Sequence, residues 1–193
     1  IKYALLSSEY SDYQVSVTSK IVDTILISFG IIDSKGFSVK ILDALQKFGY
    51  RNKVIVALGS KSLSTKLIKA NIKKYTFNVD IVKDVDGLYN LMNKSDMVIG
   101  SGGVTLLERM ALGKPSISIP VSSNQEQQIE LSGLMGATFA VASDLHDINN
   151  GLEFILNNYK GREKMSRTAR YLVDGNGAKR TASVITDTQI NVW

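Results

Sequence analysis

Two kinds of run alternate along the chain. Short blocks that are apolar almost throughout are followed by longer stretches in which apolar residues return every third or fourth position. The first block is Thr24-Ile-Leu-Ile-Ser-Phe29, closed by Gly30. An apolar run this short, without alternation, marks a strand buried on both faces, as a parallel sheet requires. From about Phe37, Val39, Ile41, Leu42, Leu45 and Phe48 then fall at helical spacing, and Gly49 closes the helix.

The same unit recurs. Residues 54–58 predict a second strand, with Gly59 beyond it, and residues 63–73 a helix. Residues 77–82 predict a third strand and residues 87–92 a short helix. The fourth strand falls on 97–99, its helix on 105–112, and Gly113-Lys-Pro115 breaks that helix. A fifth strand is expected at 116–119, a helix at 125–134 ending near Gly136, and a sixth strand at 138–141. Asp144 is the expected N-cap of a helix through Leu156, and residues 162–172 give another. Asp174-Gly-Asn-Gly177 reads as a turn, and a last helix starts near Ala178. Residues 1–20 differ: Lys2-Tyr-Ala-Leu-Leu6 has the look of a strand end, and the polar stretch after it lacks helical periodicity. That segment reads as a linker, or the tail end of another domain, ahead of one domain over residues 21–193.

Strict strand–helix alternation predicts an α/β fold, a doubly wound, mostly parallel six-stranded sheet of Rossmann-like type, with right-handed crossovers. In the common strand order such a sheet reverses between strands one and four, and ligands bind beside the loops after those strands. Those loops are Gly30 to Gly36 and Gly100 to Thr105. Within Met97-Val-Ile-Gly-Ser-Gly-Gly-Val-Thr-Leu-Leu-Glu108, strand, glycine loop and helix N-terminus follow in the order that makes an anion site.

Composition narrows the setting. With 193 residues the chain can bury a core without staples, and it has no cysteine for disulfides or thiolate chemistry. No run reaches bilayer-spanning length and no stretch reads as a signal peptide, so a cytoplasmic setting is expected. The net charge is +5, but the lysines scatter, and the densest set, Lys61 to Lys74, reads as a solvated helix face. No aromatic stripe interleaves with it, so no nucleic-acid partner is expected.

Several residue patterns carry candidate chemistry. Gly102 and Gly103, with Ser101 and Thr105, form the anion-site candidate; a plain tight turn is the alternative. A dinucleotide fingerprint fits poorly, because Thr105 stands where its third glycine belongs and the loop follows the fourth strand. Thr105 and Glu108 have capping-box spacing, and the same glutamate suits ribose hydroxyls; spacing alone separates neither. Asn124, Gln125 and Gln128, after the fifth strand, either donate and accept toward sugar hydroxyls or form a polar helix entry with Asn124 as N-cap. Ser28, Asp33 and Ser34 share that ambiguity. His146, the one histidine, has no nucleophile motif around it. Asp174-Gly-Asn-Gly177 lacks the next calcium ligand, Ala178 standing in its place, and no metal or cofactor is expected.

Together these residues resemble the C-terminal, nucleotide-binding half of two-domain glycosyltransferase-type proteins of the GT-B fold. The chain is similar to the UDP-sugar hydrolases of pseudaminic acid synthesis and to spore-coat polysaccharide proteins, and more distantly to the N-acetylglucosaminyltransferases of peptidoglycan synthesis. The matching stretches are Lys2 to Leu6, Ile27-Ser-Phe-Gly30 with Asp33, Asp96 to Glu108, Leu112-Gly-Lys-Pro115, Asn124-Gln125 and Leu172-Val-Asp-Gly175. The resemblance implies a UDP-sugar ligand, with Gly102 and Gly103 at the diphosphate, Thr105 close by, Glu108 on the ribose, and Asn124 and Gln125 toward the sugar or phosphate. Ile31 departs from the family, which usually has a second glycine there, and this bears on ligand contact at Gly30.

It also implies that the family's N-terminal domain, which carries the water-activating histidine, lies outside this chain. No catalytic residue is then expected here, and this half alone is expected to bind without turnover. The implied reaction of the whole is attack by water on the anomeric carbon with UDP leaving. The alternatives are the donor half of a true glycosyltransferase and a non-catalytic partner or regulatory domain fused to a sugar-activating enzyme.

Overall fold

The computed structural model of the chain describes residues 1–13, 17–142 and 145–190. In chain order its elements are α1 (Ser8–Ser11), β1 (Thr24–Ser28), α2 (Phe37–Phe48), β2 (Lys53–Leu58), α3 (Leu63–Asn71), β3 (Asn78–Lys83), α4 (Tyr89–Asn93), β4 (Met97–Gly100), α5 (Val104–Ala111), β5 (Ser116–Ser118), α6 (Glu126–Leu134), β6 (Phe139–Ala140), α7 (Leu145–Asn157), α8 (Tyr159–Leu172) and α9 (Gly177–Ile190). The six strands form one sheet in the order β3-β2-β1-β4-β5-β6, and every neighbouring pair is parallel. This is the predicted doubly wound architecture, with its reversal between β1 and β4.

Both faces of the sheet are covered, which is why its strands read as unbroken apolar runs. Ile25, Ile27, Val54, Val56 and Ile99 face one layer, where they meet Ile41, Leu45, Ile148 and Leu152 of α2 and α7. Leu26, Ile55, Ala57 and Val98 face the other, with Leu106 and Met110 of α5, Ile129 of α6 and Ala169 of α8. Asp96 ties the entry of β1 by accepting the backbone amides of Asp23 and Thr24, both at 2.8 Å.

The first residues are packed onto this domain. Ala4, Leu6 and Tyr10 are buried in the second layer. Arg170 Nη1 donates to the Tyr10 carbonyl at 3.1 Å, and Arg180 donates to the Lys2 carbonyl while pairing with Asp174. The Asp174–Gly177 turn is therefore a docking point for residues 1–13. Among the described residues, no helix is long and apolar enough to cross a membrane.

Element boundaries shift by a few residues for identifiable reasons. Gly87 has φ +85°, which no helix admits, so α4 starts at Tyr89. Helix α8 begins at Tyr159, three residues earlier than expected, because Asn158 caps it and accepts the Gly161 amide at 2.8 Å. Strand β6 covers Phe139–Ala140 of the expected 138–141, and the Thr138 hydroxyl just before it bonds Ser116 and Ser118 of β5. The N-cap expected at Asp144 lies outside the described residues.

Candidate functional site

The sheet register sets two loops side by side. Ser28, the last residue of β1, pairs with Gly100, the last of β4, and the Ser101 amide donates to the Ser28 carbonyl at 3.3 Å. A Cβ on Gly100 would lie 2.5 Å from that carbonyl, so the approach of the two strand ends requires glycine there. Gly30 leaves β1 with φ +82°. Between the loops lies a cleft of about 170 Å3, lined by Ser28 and Gly30, by Ala57 and Leu58 at the end of β2, by the Asp84–Leu88 loop, and by Thr105. Its walls are chiefly apolar, and Asp84 is spent on the Ser60 amide at 2.9 Å.

Gly103 adopts φ +80° and ψ −152° and turns the chain into α5. Val104 and Thr105 are the first residues of that helix, so their amides have no acceptor within it and share the positive end of its dipole. The amides before them are engaged differently. Gly102 N–H donates to Gln125 Oε1 at 3.2 Å, and Gly103 N–H donates to Gln128 Oε1 at 2.7 Å. Gln128 Nε2 returns a bond to the Gly103 carbonyl at 3.3 Å, while Gln125 Oε1 also takes the Val121 amide at 3.1 Å. Gln125 thus clamps the glycine loop to the loop after β5, and Gln128 clamps it to α6. Asn124 stands apart: it is exposed in a short turn before α6, accepts from the Ser122 hydroxyl, and does not cap α6.

The capping-box alternative for Glu108 is set aside by the helix boundary. Gly103 holds the cap position and Thr105 already lies inside α5, its hydroxyl 3.4 Å from the Gly102 carbonyl. Glu108 instead faces the Tyr10 hydroxyl of α1, which favours its charged form. Burial raises its carboxyl above the ordinary range, and the Tyr10 hydroxyl and the Arg109 charge oppose that shift. Asp33, by contrast, is a structural cap: it accepts the Phe37 and Ser38 amides and the Ser64 hydroxyl at 2.7–3.0 Å. His146 is exposed on α7, beside Asn150.

One charged group was not singled out by the sequence reading. Arg109 is 1% exposed. Its Nη2 donates to the Ser101 carbonyl at 2.7 Å and to Ser118 Oγ at 2.8 Å. Burial pushes its guanidinium down to about 9, still charged at neutral pH. The available signal was its place between Leu106 and Met110 on the apolar face of α5.

The fold and the paired loops place this chain in a known class. Residues 24–183 match the glycosyltransferase family 28 C-terminal domain, and the chain belongs to that family. In sequence it is 24% identical over 177 residues to the spore coat polysaccharide biosynthesis protein SpsG of Bacillus subtilis, covering 84% of this chain and 50% of that protein. An uncharacterized protein of Methanocaldococcus jannaschii is 29% identical over 122 residues, 60% of this chain and 25% of that one. The chain thus spans a quarter to a half of the length of the curated relatives it matches. In structure it is similar to MurG of Acinetobacter baumannii, with TM-score 0.73 and 14% identity over 96% of this chain and 54% of that one. The UDP-GlcNAc 2-epimerase of Neisseria meningitidis, solved with UDP-GlcNAc bound, gives TM-score 0.65 and 19% identity over 88% and 45%.

Proposed function

We propose that this chain is the UDP-sugar-binding half of an enzyme that breaks the bond between a sugar's anomeric carbon and UDP during surface-polysaccharide or nonulosonic acid synthesis. The observation that carries the reading is that the apolar cleft and the N-terminus of α5 share Thr105. A base in the cleft then leaves its diphosphate at the Val104 and Thr105 amides, where the helix dipole favours negative charge. Glu108, one turn further along α5, accepts the ribose hydroxyls. Gln125 and Gln128 hold the glycine loop, and the Gln125 Nε2 group and the exposed Asn124 amide donate toward the sugar or phosphate. Gly30 lets the β1 loop approach the ligand closely.

In the reaction the anomeric C–O bond breaks with its electron pair passing to the UDP oxygen, where the α5 amides and dipole stabilise the new charge. Water attacks the anomeric carbon in the hydrolase form, the reaction of the pseudaminic acid family. Its proton passes to a base in the other half of the protein. A sugar hydroxyl replaces water in a glycosyltransferase, the reading that membership of a glycosyltransferase family favours.

Calorimetric titration with UDP, beside CMP, NAD and a Glu108→Ala variant, tests the site. Micromolar UDP binding that weakens at least about tenfold in the variant, roughly 1.4 kcal/mol, is expected. Failure of a folded sample to bind UDP overturns the reading in favour of a non-catalytic partner domain. With the full-length protein, UDP release in the absence of any acceptor separates hydrolase from transferase.

A further inference from the structure

Beneath the glycine loop lies a buried cation that, among the described residues, no carboxylate contacts directly. Arg109 extends from α5 toward the ends of β4 and β5, and among the described residues it forms no ion pair. Its neighbour Glu108 turns to Tyr10 instead. Two neutral oxygens, the Ser101 carbonyl and the Ser118 hydroxyl, receive Nη2, while Nε has no partner at all. A desolvated charge whose hydrogen bonds go only to neutral groups, with the Glu108 charge acting on it from a distance, is an expensive arrangement, and it is relieved further when another opposite charge arrives nearby. The peptide whose carbonyl Arg109 holds is Ser101–Gly102, the same peptide whose N–H meets Gln125. The guanidinium therefore fixes one side of the loop while the glutamines fix the other.

We propose that Arg109 is a positioning residue for the ligand's diphosphate: it holds the Ser101–Gly102 peptide from below and gives the loop the positive charge that selects an anionic ligand. This rests on the nucleotide-sugar reading above and deepens it. The uncharged amides at the start of α5 supply direction, and Arg109 supplies net charge in a site shielded from solvent, where its field is weakly screened. Its contribution is felt by phosphates and not by the nucleoside. That separates it from a residue that only braces the fold.

The test compares UDP with uridine, which has the base and ribose but no phosphate, in wild type, Arg109→Met, Arg109→Gln and Arg109→Lys. Thermal melts establish that each variant is folded. In the two neutral variants UDP binding is expected to weaken at least about tenfold while uridine stays within about twofold, and the salt dependence of UDP binding to flatten. Arg109→Lys keeps the charge and is expected to keep most of the preference for UDP over uridine. If Arg109→Met does not fold, Arg109→Gln, which keeps a polar side chain, carries the comparison. If neither neutral variant folds, Arg109→Lys decides, and its losing the UDP preference overturns the proposal. Equal weakening of UDP and uridine, or no change in either, also overturns it and leaves the nucleotide site standing. Wild type that binds neither UDP nor uridine overturns the site itself.

Discussion

Gly103 offers the sharpest handle on the loop. Its φ of +80° and ψ of −152° lie in a region open in practice to glycine alone. A residue with a side chain there carries strain of about 1–3 kcal/mol. Space is not the obstacle, since an added Cβ would meet only Gln125 Nε2, at 4.0 Å. Alanine also restricts the unfolded chain, which offsets about 0.4–1 kcal/mol of the strain. At mid-range, with about 2 kcal/mol of strain and about 0.7 kcal/mol of offset, Gly103→Ala is therefore expected to lose about 1.3 kcal/mol net. For a chain of this length, at about 2–4 °C per kcal/mol, the melting temperature falls by about 3–5 °C. Urea unfolding followed by far-UV circular dichroism reads the cost directly, provided the slope with denaturant is unchanged. Should the peptide rotate to escape the strain, its N–H leaves Gln128 and the start of α5 moves, so UDP affinity falls with stability. A variant that unfolds within about 0.3 kcal/mol of wild type refutes the loop conformation on which the site rests. Gly102→Ala is the informative contrast. There an added Cβ comes 2.9 Å from the Gln125 Cβ and 3.2 Å from Ile129 Cδ1, so its cost is steric and arises from packing against α6.

Two further outcomes follow from contacts away from the loop. Tyr10→Phe removes the hydroxyl that meets the half-buried Glu108 carboxylate and is expected to cost about 1–2 kcal/mol in urea at pH 7, below the full worth of a bond to a charged group because the pair is only partly desolvated; an unchanged midpoint argues that α1 does not hold Glu108. The Arg180 pair and the Asn176 amide hold the Asp174 carboxyl well below the ordinary range, so its folded form resists protonation more than the unfolded chain does. Its contribution is present above the ordinary carboxylate range and lost as pH falls below it, so Asp174→Asn should flatten the acid limb of a melting-temperature profile, and an acid limb as steep as that of wild type sinks the assignment.

The sheet was legible in the sequence because burial on both faces leaves no polar positions inside its central strands. Ile25, Leu26 and Ile27 point to alternate layers, yet all three are fully buried. The meeting of the two candidate loops was legible for a related reason: two glycine-bearing loops fell after the strands where a doubly wound sheet reverses, and the register of Ser28 with Gly100 sets them together. What spacing did not convey was which side chains the loops would meet. Tyr10 reaches Glu108 across most of the chain's first half, and nothing periodic marks residues 1–13 as part of the packed domain. Arg109 falls on an apolar helix face, a conflict between charge and position that the pattern contained and that a reading of glycine motifs passes over.

Glu108 shows why such residues resist assignment from spacing. A capping box needs Thr105 at the cap, and that placement turns on where α5 begins. The helix begins at Val104 because Gly103 takes a conformation open only to glycine, and Gln128, from a helix after the next strand, fixes both polar groups of Gly103. The boundary of one helix is thus set by a side chain on another. Released from capping, Glu108 lies half-buried against Tyr10, with its carboxyl raised by burial. The same displacement that takes Glu108 out of a capping box leaves its carboxylate to Tyr10 and to the ribose role proposed for it.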